Sequence, residues 1–269
     1  MSTQPAATDM PAPSVEKPFD PVVGLQVVLL FDVMLRLFVW SASLAAALWL
    51  VGRLDLWAWP AGHEIGTGSW SIRMAALTAI LMVLFNVAYI LVLTVLRTFC
   101  PTPKPGRYSL TSRKPDPNLI WSCFTGLLTK ARYQAPFPAF LVPQLANVAP
   151  FRWLMNWRFG PRSGSCFFVE PNILDPHLIT IGRNVTIGFG TTVSAHVQER
   201  DTLSIQPTII EDDVLVGAHV GIAGGVHIKR GAVVRGFSMV LPGTVIPENE
   251  YWAGIPARRV KDLAAPAER

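Results

Sequence analysis

The sequence predicts an α-helical membrane hairpin followed by a triangular prism of short parallel strands. Three observations carry this reading. Two long apolar runs precede Arg97, an aliphatic side chain recurs every six residues from Ile181 to Trp252, and charge is scarce. Of the 269 residues, 51% are hydrophobic and 15% charged, against about 25% charged in ordinary soluble domains. That composition excludes a disordered or acidic tail protein. Cys100, Cys123 and Cys166 are odd in number and widely spaced, giving neither a disulfide framework nor a metal-knuckle spacing. They point to a reducing compartment.

Residues 1–21 are rich in Pro, Ala and Thr and set Asp9, Glu16 and Asp20 against Lys17 alone. Without a basic n-region this is no cleavable signal, and a disordered tail is expected. Residues 22–97 hold two spans. Met74 to Leu96 carries no charge in 23 positions and is bracketed by Arg73 and Arg97. As a helix it rises roughly 35 Å, enough for a ~30 Å hydrocarbon core. The earlier run, Val22 to Val51, contains Asp32 and Arg36, four apart on one helical face where an ion pair can form. The expected span there is Val33 to Val51, with the pair at its edge.

Orientation follows from charge. Between Arg97 and Ser165 ten Lys and Arg stand against one acid, Asp116, whereas the connecting loop offers Arg53 and Arg73. The positive-inside rule then puts both chain ends in the cytoplasm, as a multi-pass protein of the inner (cytoplasmic) membrane. Trp57, Trp59 and Trp70 fall at the opposite interface. Residues 98–160 mix apolar stretches (Leu119-Ile120-Trp121, Phe140-Leu141-Val142) with Lys130, Arg132 and Arg152. Pro136, Pro138, Pro143 and Pro150 interrupt them. This reads as a basic amphipathic linker lying on the anionic leaflet. The apolar residues between the charges argue against nucleic acid as a partner.

Residues 161–260 form the second domain, and 261–269 a tail. Steps of six connect Ile181, Ile187 and Val193, then Ile210, Val216, Ile222, Ile228, Val234, Val240, Ile246 and Trp252; ten of these eleven are Ile or Val. Four residues after each comes a small or β-branched side chain: Val185, Thr191, Val197, Val214, Val220, Val226, Ala232, Ser238 and Thr244. Glu250 is the first exception. Such a period fits neither a 3.6-residue helix nor a hairpin meander. It fits short parallel strands wound three hexads to a coil, with one aliphatic side chain inward per side. Each inward side chain contributes roughly 1.5–3 kcal/mol when buried, and coils add as rung and neighbour terms. The period breaks between Gln198 and Ile210, so Glu199 to Ile209 leaves the prism, with His196 immediately before the excursion.

The stretches Ile181-Gly182-Arg183-Asn184-Val185-Thr186-Ile187-Gly188 and Ile210-Glu211-Asp212-Asp213-Val214-Leu215-Val216-Gly217, with the ending Trp252-Ala253-Gly254-Ile255-Pro256-Ala257-Arg258, resemble the hexapeptide-repeat ("isoleucine patch") acyltransferases. The likeness runs from about Asp175 to Val260. Membrane-anchored relatives, including the terminal modules of polylysine-type peptide synthetases, look similar in both halves. The resemblance implies a left-handed parallel β-helix and a homotrimer whose sites are shared between neighbouring prisms. It implies acyl transfer, with acetyl-CoA or another acyl-CoA as donor, to a hydroxyl or amine. The anchor then suggests a membrane-proximal acceptor: a lipid-linked sugar, an envelope glycan precursor or a lipid.

By the same resemblance His196 is the catalytic histidine, and imidazole titrates in the range a general base needs near neutral pH. Gly217, Ala218, Gly236 and Ser238 match the small residues of the pantetheine groove. Arg258, with Arg259, matches the basic position that reaches the nucleotide phosphates, as a guanidinium fork can. Glu199, Arg200 and Asp201 are candidates for orienting the imidazole or binding acceptor. The sequence departs from the sugar acetyltransferases at Leu215, where they carry Trp, and at Leu241-Pro242-Gly243, where they carry Thr-Lys-Asp. Two alternatives share the prism. A γ-carbonic-anhydrase-like enzyme needs three histidines converging on zinc at about 2.0–2.1 Å, its last two typically five apart. His196, His219 and His227 are spaced 23 and 8, so no metal is expected. A non-catalytic scaffold is disfavoured by His196 together with the Gly-Ile-Pro-Ala-Arg ending.

Overall fold

The structure, a computed structural model, describes residues 21–61, 67–112, 116–133, 147–164, 166–168 and 172–264. The tail expected at 1–20, the Phe140-Leu141-Val142 stretch with Pro136, Pro138 and Pro143, and residues 265–269 lie outside the described residues.

Two long helices open the chain, α1 (Pro21–Arg53) and α3 (Gly68–Thr98), with the single turn α2 (Ala58–Ala61) between them. Both are long and apolar enough to cross a membrane. Thr67 starts α3 by accepting the Trp70 N–H, satisfying one of the orphan donors of the first turn. Leu35 and Val39 of α1 pack with Tyr89 and Leu93 of α3. Their outer surfaces keep Leu37, Phe38 and Trp49, or Ile72, Val83 and Val95, exposed. Helix α1 runs unbroken through Asp32 and Arg36, the pair expected at the edge of the span. The reason is local. Arg36 Nε donates to Asp32 Oδ2 at 2.9 Å, so the two charges compensate within one turn and the helix continues.

Part of the linker expected on a lipid surface packs against the two long helices. Its helix α4 (Pro117–Tyr133) turns Leu128 and Ala131 onto the α1–α3 core, and the Tyr89 hydroxyl donates to the Ala131 carbonyl at 3.2 Å. A face read as lipid-seeking is thus satisfied within the protein. A shorter helix, α5 (Ala149–Asn156), precedes the prism.

From Arg162 the chain visits three parallel sheets in rotation. One contains Ile179–Ile181, Thr208–Ile210, His227–Ile228 and Val245–Ile246. The second contains Val185–Ile187, Leu215–Val216, Val233–Val234 and Glu250–Gly254, and the third Asn172–Ile173, Thr192–Val193, Gly221–Ile222 and Met239–Val240. Ile210 lies beside Ile228 and Val216 beside Val234, 18 residues on, so one coil is three hexads. All ten periodic Ile and Val side chains are buried, and Trp252 packs partly buried at the end of the stack. Val185, Val214, Val220, Val226 and Ala232 fill the same interior. Corners need left-handed backbone, which Asn184 and Asp213 supply; Asn184 Nδ2 donates to Asp213 Oδ1 at 2.8 Å, tying one coil to the next. An antiparallel hairpin of Glu250–Gly254 with Ala257–Asp262 closes the stack.

Across the interruption Ile181 pairs with Ile210, 29 residues on rather than 18. The looped-out residues form a hairpin, His196–Glu199 against Thr202–Ile205, whose outer edge is covered by Gly106–Ser109. Two expectations are corrected here. His196 is the first residue of the excursion rather than the last before it, so Val197 lies in the hairpin and not in the prism interior. The segment after α3, expected on the lipid, supplies the third strand of this small sheet.

Candidate active site

The corner following the third sheet holds His196. There the chain turns out of the prism at Ala195, which is fully buried, and His196 emerges beside it. Ser194 holds the exit: its hydroxyl accepts the His196 N–H at 3.1 Å and donates to the His196 carbonyl at 2.9 Å. Thr208 Oγ1 donates to the Ser194 carbonyl at 2.7 Å, closing the neck of the excursion. The imidazole is therefore fixed at its backbone before any side-chain contact is counted.

Its side-chain partner is Asp175, one coil earlier at the same corner, through Nδ1 and Oδ2. Asp175 is 10% exposed at its side chain and His196 35%. The carboxylate hydrogen bond raises the imidazole above the usual histidine value, outweighing the opposite effect of burial. A carboxylate can only accept, so Nδ1 carries the proton and Nε2 of the neutral ring keeps its lone pair. One coil further on, the Gly224 backbone packs against the Ala195–His196 peptide. A Cβ at Gly224 would come within 2.9 Å of His196 N, so only glycine allows this approach.

A cavity of about 490 Å³ opens beside the pair. Its floor is Asn172 to Asp175 with His196, and its opposite wall is α4, through Gly126, Thr129, Lys130 and Tyr133. The apolar half and the prism thus share one chamber. A second hollow of about 320 Å³ lies along the hairpin side, where Arg107 and Glu199 face Gly224 and Gly243.

The structure does not bring Glu199, Arg200 and Asp201 to the imidazole. They form the hairpin tip, three or more residues along a strand rising about 3.3 Å per residue. Glu199 instead lies 3.8 Å from Arg107, and the Asp201 carbonyl accepts the Leu110 N–H. The carboxylate bonded to the imidazole is Asp175 instead. Nothing in the hexad pattern flags it, although a carboxylate roughly one coil before the histidine is where such a partner must stand.

Of the six groove candidates, Gly217, Ala218, Gly236 and Ser238 lie at a different corner, after the second sheet, and Arg258 and Arg259 in the closing strand Ala257–Asp262. A Cβ at Gly217 would collide with the Gly236 backbone, and the Phe237 N–H donates to the Ala218 carbonyl at 2.9 Å. The Ser238 hydroxyl accepts the Gly254 N–H at 3.1 Å. Gly217, Ala218 and Gly236 thus bring backbone close to backbone along this edge, with Phe237 beside them. Arg259 is engaged by Glu250 at 3.0 Å and by Asp262 at 2.6 Å. Arg258 is exposed, and its only hydrogen bond among the described residues goes to the Ala257 carbonyl at 3.5 Å. Of the two arginines, Arg258 is the one without a carboxylate partner among the described residues.

The histidines of the anhydrase alternative take separate partners. His196 bonds Asp175, and His227 Nε2 meets Glu211 at 2.6 Å. His219 stacks on Phe237, centroids 5.1 Å apart, with Phe189 at its edge. Among the described residues no three His, Cys, Asp or Glu side chains gather around a metal position.

A family model for the hexapeptide repeat of succinyl-transferase matches residues 207–236. YvoF of Bacillus subtilis (strain 168), whose name carries acetyltransferase as an inferred activity, is 32% identical over 127 residues, 44% of this chain and 73% of its own. A 2,3,4,5-tetrahydropyridine-2,6-dicarboxylate N-acetyltransferase of Staphylococcus aureus is 37% identical over 85 residues, 32% of this chain and 34% of that relative. A solved hexapeptide-repeat acetyltransferase of Vibrio cholerae is 30% identical with a TM-score of 0.37, covering 40% of this chain and 65% of that one. With the repeat in place and the match to YvoF spanning nearly three quarters of that protein, the chain belongs to the hexapeptide-repeat acyltransferase family.

Proposed function

We propose that this chain is a membrane-anchored acetyltransferase that moves an acetyl group from acetyl-CoA to a hydroxyl or amine of a membrane-proximal acceptor. The observation that carries this reading is the Asp175–His196 pair, facing a chamber whose far wall is α4. His196 Nε2 takes the acceptor's proton as the oxygen or nitrogen attacks the thioester carbonyl, and Asp175 stabilises the imidazolium that forms. Collapse of the tetrahedral adduct breaks the C–S bond as the imidazolium returns the proton to the departing coenzyme A sulfur. A backbone N–H on a coil next to His196 is assigned to stabilise the oxyanion. Acetyl-CoA supplies the activated carbonyl. Its pantetheine arm fits the edge at Gly217, Ala218, Gly236 and Ser238, with Arg258 toward its phosphates.

Groove and imidazole stand at different corners of one prism. A site combining them is completed by a neighbouring copy, which supports a homotrimer. Phe237, Phe189 and Leu215, 72%, 48% and 46% exposed on the prism surface, give that assembly apolar area to cover. The charge bias after Arg97 supports a cytoplasmic prism. The acceptor, a lipid-linked sugar, envelope glycan precursor or lipid, reaches His196 from the α4 side. The direct test feeds isotope-labelled acetyl-CoA to membranes holding the wild type or His196→Ala and follows lipids and glycan precursors by mass spectrometry. A labelled product that needs His196 is expected, and equal labelling in both overturns the proposal.

Asp175→Asn tests the pair itself. The reaction needs neutral His196, so kcat/KM rises with pH through the imidazole pKa, which the carboxylate holds above the ordinary value. Removing the carboxylate is expected to move that acid limb to lower pH while the plateau falls on the order of 10²-fold. A lower plateau with an unmoved limb would give Asp175 a merely structural role.

A further inference from the structure

A cleft of about 780 Å³ lies where the last turn of α3 meets α5 and the first strand of the prism. Five of its lining side chains are arginines, and among the described residues no Asp or Glu lines it. Among the described residues, only Arg183 of the five has a carboxylate within ion-pair distance, Asp212 at 2.9 Å. Arg97 is 4% exposed; its Nη atoms donate to the Cys100 carbonyl at 2.7 Å and Thr102 Oγ1 at 3.2 Å, while its Nε is buried without a partner. Phe159 also lines the cleft, and over its ring, 4.5 Å from the centroid, sits the fully buried Arg132 with no hydrogen-bond partner. Burial pulls that guanidinium down to about 10, which still leaves it charged at neutral pH. His177 also lines the cleft, its two ring nitrogens buried and unpartnered among the described residues. Burial holds it down at about 4, a neutral ring with one N–H to donate.

Arg97 at the cleft and Arg132 behind Phe159 are buried with guanidinium nitrogens that have no partner among the described residues, a charge costly to hold there unless an anion compensates it. The more exposed Arg152, Arg158 and Arg162 line the same opening. The place of the cleft selects the anion. It opens at the end of a helix that ends a candidate span, and Arg158 Nε reaches Thr98 of that helix at 3.5 Å. Trp153 and Trp157 stack 5.6 Å apart on its rim, 65% and 44% exposed, as aromatic side chains do at headgroup depth. We propose that this cleft binds the phosphate of a lipid headgroup through its arginine forks. None of Gly217, Ala218, Gly236, Ser238, Arg258 or Arg259 lines it, so it is separate from the proposed acetyl-CoA groove. The inference rests on the membrane placement proposed above.

The test titrates the full chain in maltoside detergent with dihexanoyl phosphatidic acid, dihexanoylglycerol, inorganic phosphate and coenzyme A. Saturable binding of phosphatidic acid is expected, with dihexanoylglycerol inert and coenzyme A not competing. Arg158 and Arg162 are exposed, so Arg158→Gln with Arg162→Gln leaves the fold intact and weakens binding by about tenfold per lost charge-assisted contact. Arg53→Gln, outside the cleft, leaves it unchanged. No binding, equal binding by the double variant, or displacement by coenzyme A overturns the site. Inorganic phosphate binding as tightly as phosphatidic acid overturns the lipid as its source. Carbonate extraction of the same membranes tests anchoring separately: release of the chain sinks the membrane reading whatever the titration shows.

Discussion

Replacing His196 with alanine is expected to lower kcat by about 10²–10⁴-fold, the usual worth of a positioned general base. The KM for acetyl-CoA is expected to change little, because the groove assigned to it lies at another corner. The fold is expected to survive. The imidazole is partly exposed, and the exit from the prism is held by Ser194 and Thr208 rather than by the ring. Melting followed by circular dichroism, beside steady-state kinetics, separates the two effects. Unchanged kcat with the true acceptor would return the prism to the scaffold reading. A matching loss of stability would make His196 a packing residue.

The site was legible in unequal parts, and the reasons are physical. The inward phase of the prism is written in the sequence, because a six-residue period has no competing structure to satisfy it and every coil repeats the same demand. His196 was legible because it stands where that period fails. Asp175 was hidden by the same rule that reveals the core. Stepping back six from Ile181 lands on Asp175 as an inward position, yet the inward residue of that coil is Ile173, which pairs with Val193. The short 3-10 turn Pro176–Leu178 shifts the phase and frees the carboxylate to face the corner. The hexad pattern carries no trace of such a shift. The role of α4 was obscured differently. Its amphipathic pattern fits a lipid surface and a protein groove equally, and only the fold decides between them. Gly106–Ser109 carries too short a pattern to announce a strand whose partner lies some hundred residues away.

The phase of the prism makes a second large prediction, and it separates neighbours on one sheet. Ile228 is fully buried between Ile210 and Ile246, whereas Val245, beside His227 on the same sheet, is 51% exposed. Ile228→Ala removes several buried carbons and leaves a cavity that two flanking coils cannot close, because their backbones are held in register by hydrogen bonds on all three sides. A loss of about 2–5 kcal/mol is expected. Val245→Ala, pointing outward, is expected to stay within about 0.5 kcal/mol. Because coils stabilise one another as nearest neighbours, the Ile228 defect divides the stack into parts that each lose a supporting face. Its unfolding is therefore expected to broaden as well as to shift. Denaturant titration of the full chain in detergent, read in the β-sheet signal, checks both variants. Equal losses would mean that the aliphatic phase does not point inward as described, and the corner on which His196, Asp175 and Gly224 meet would lose its foundation.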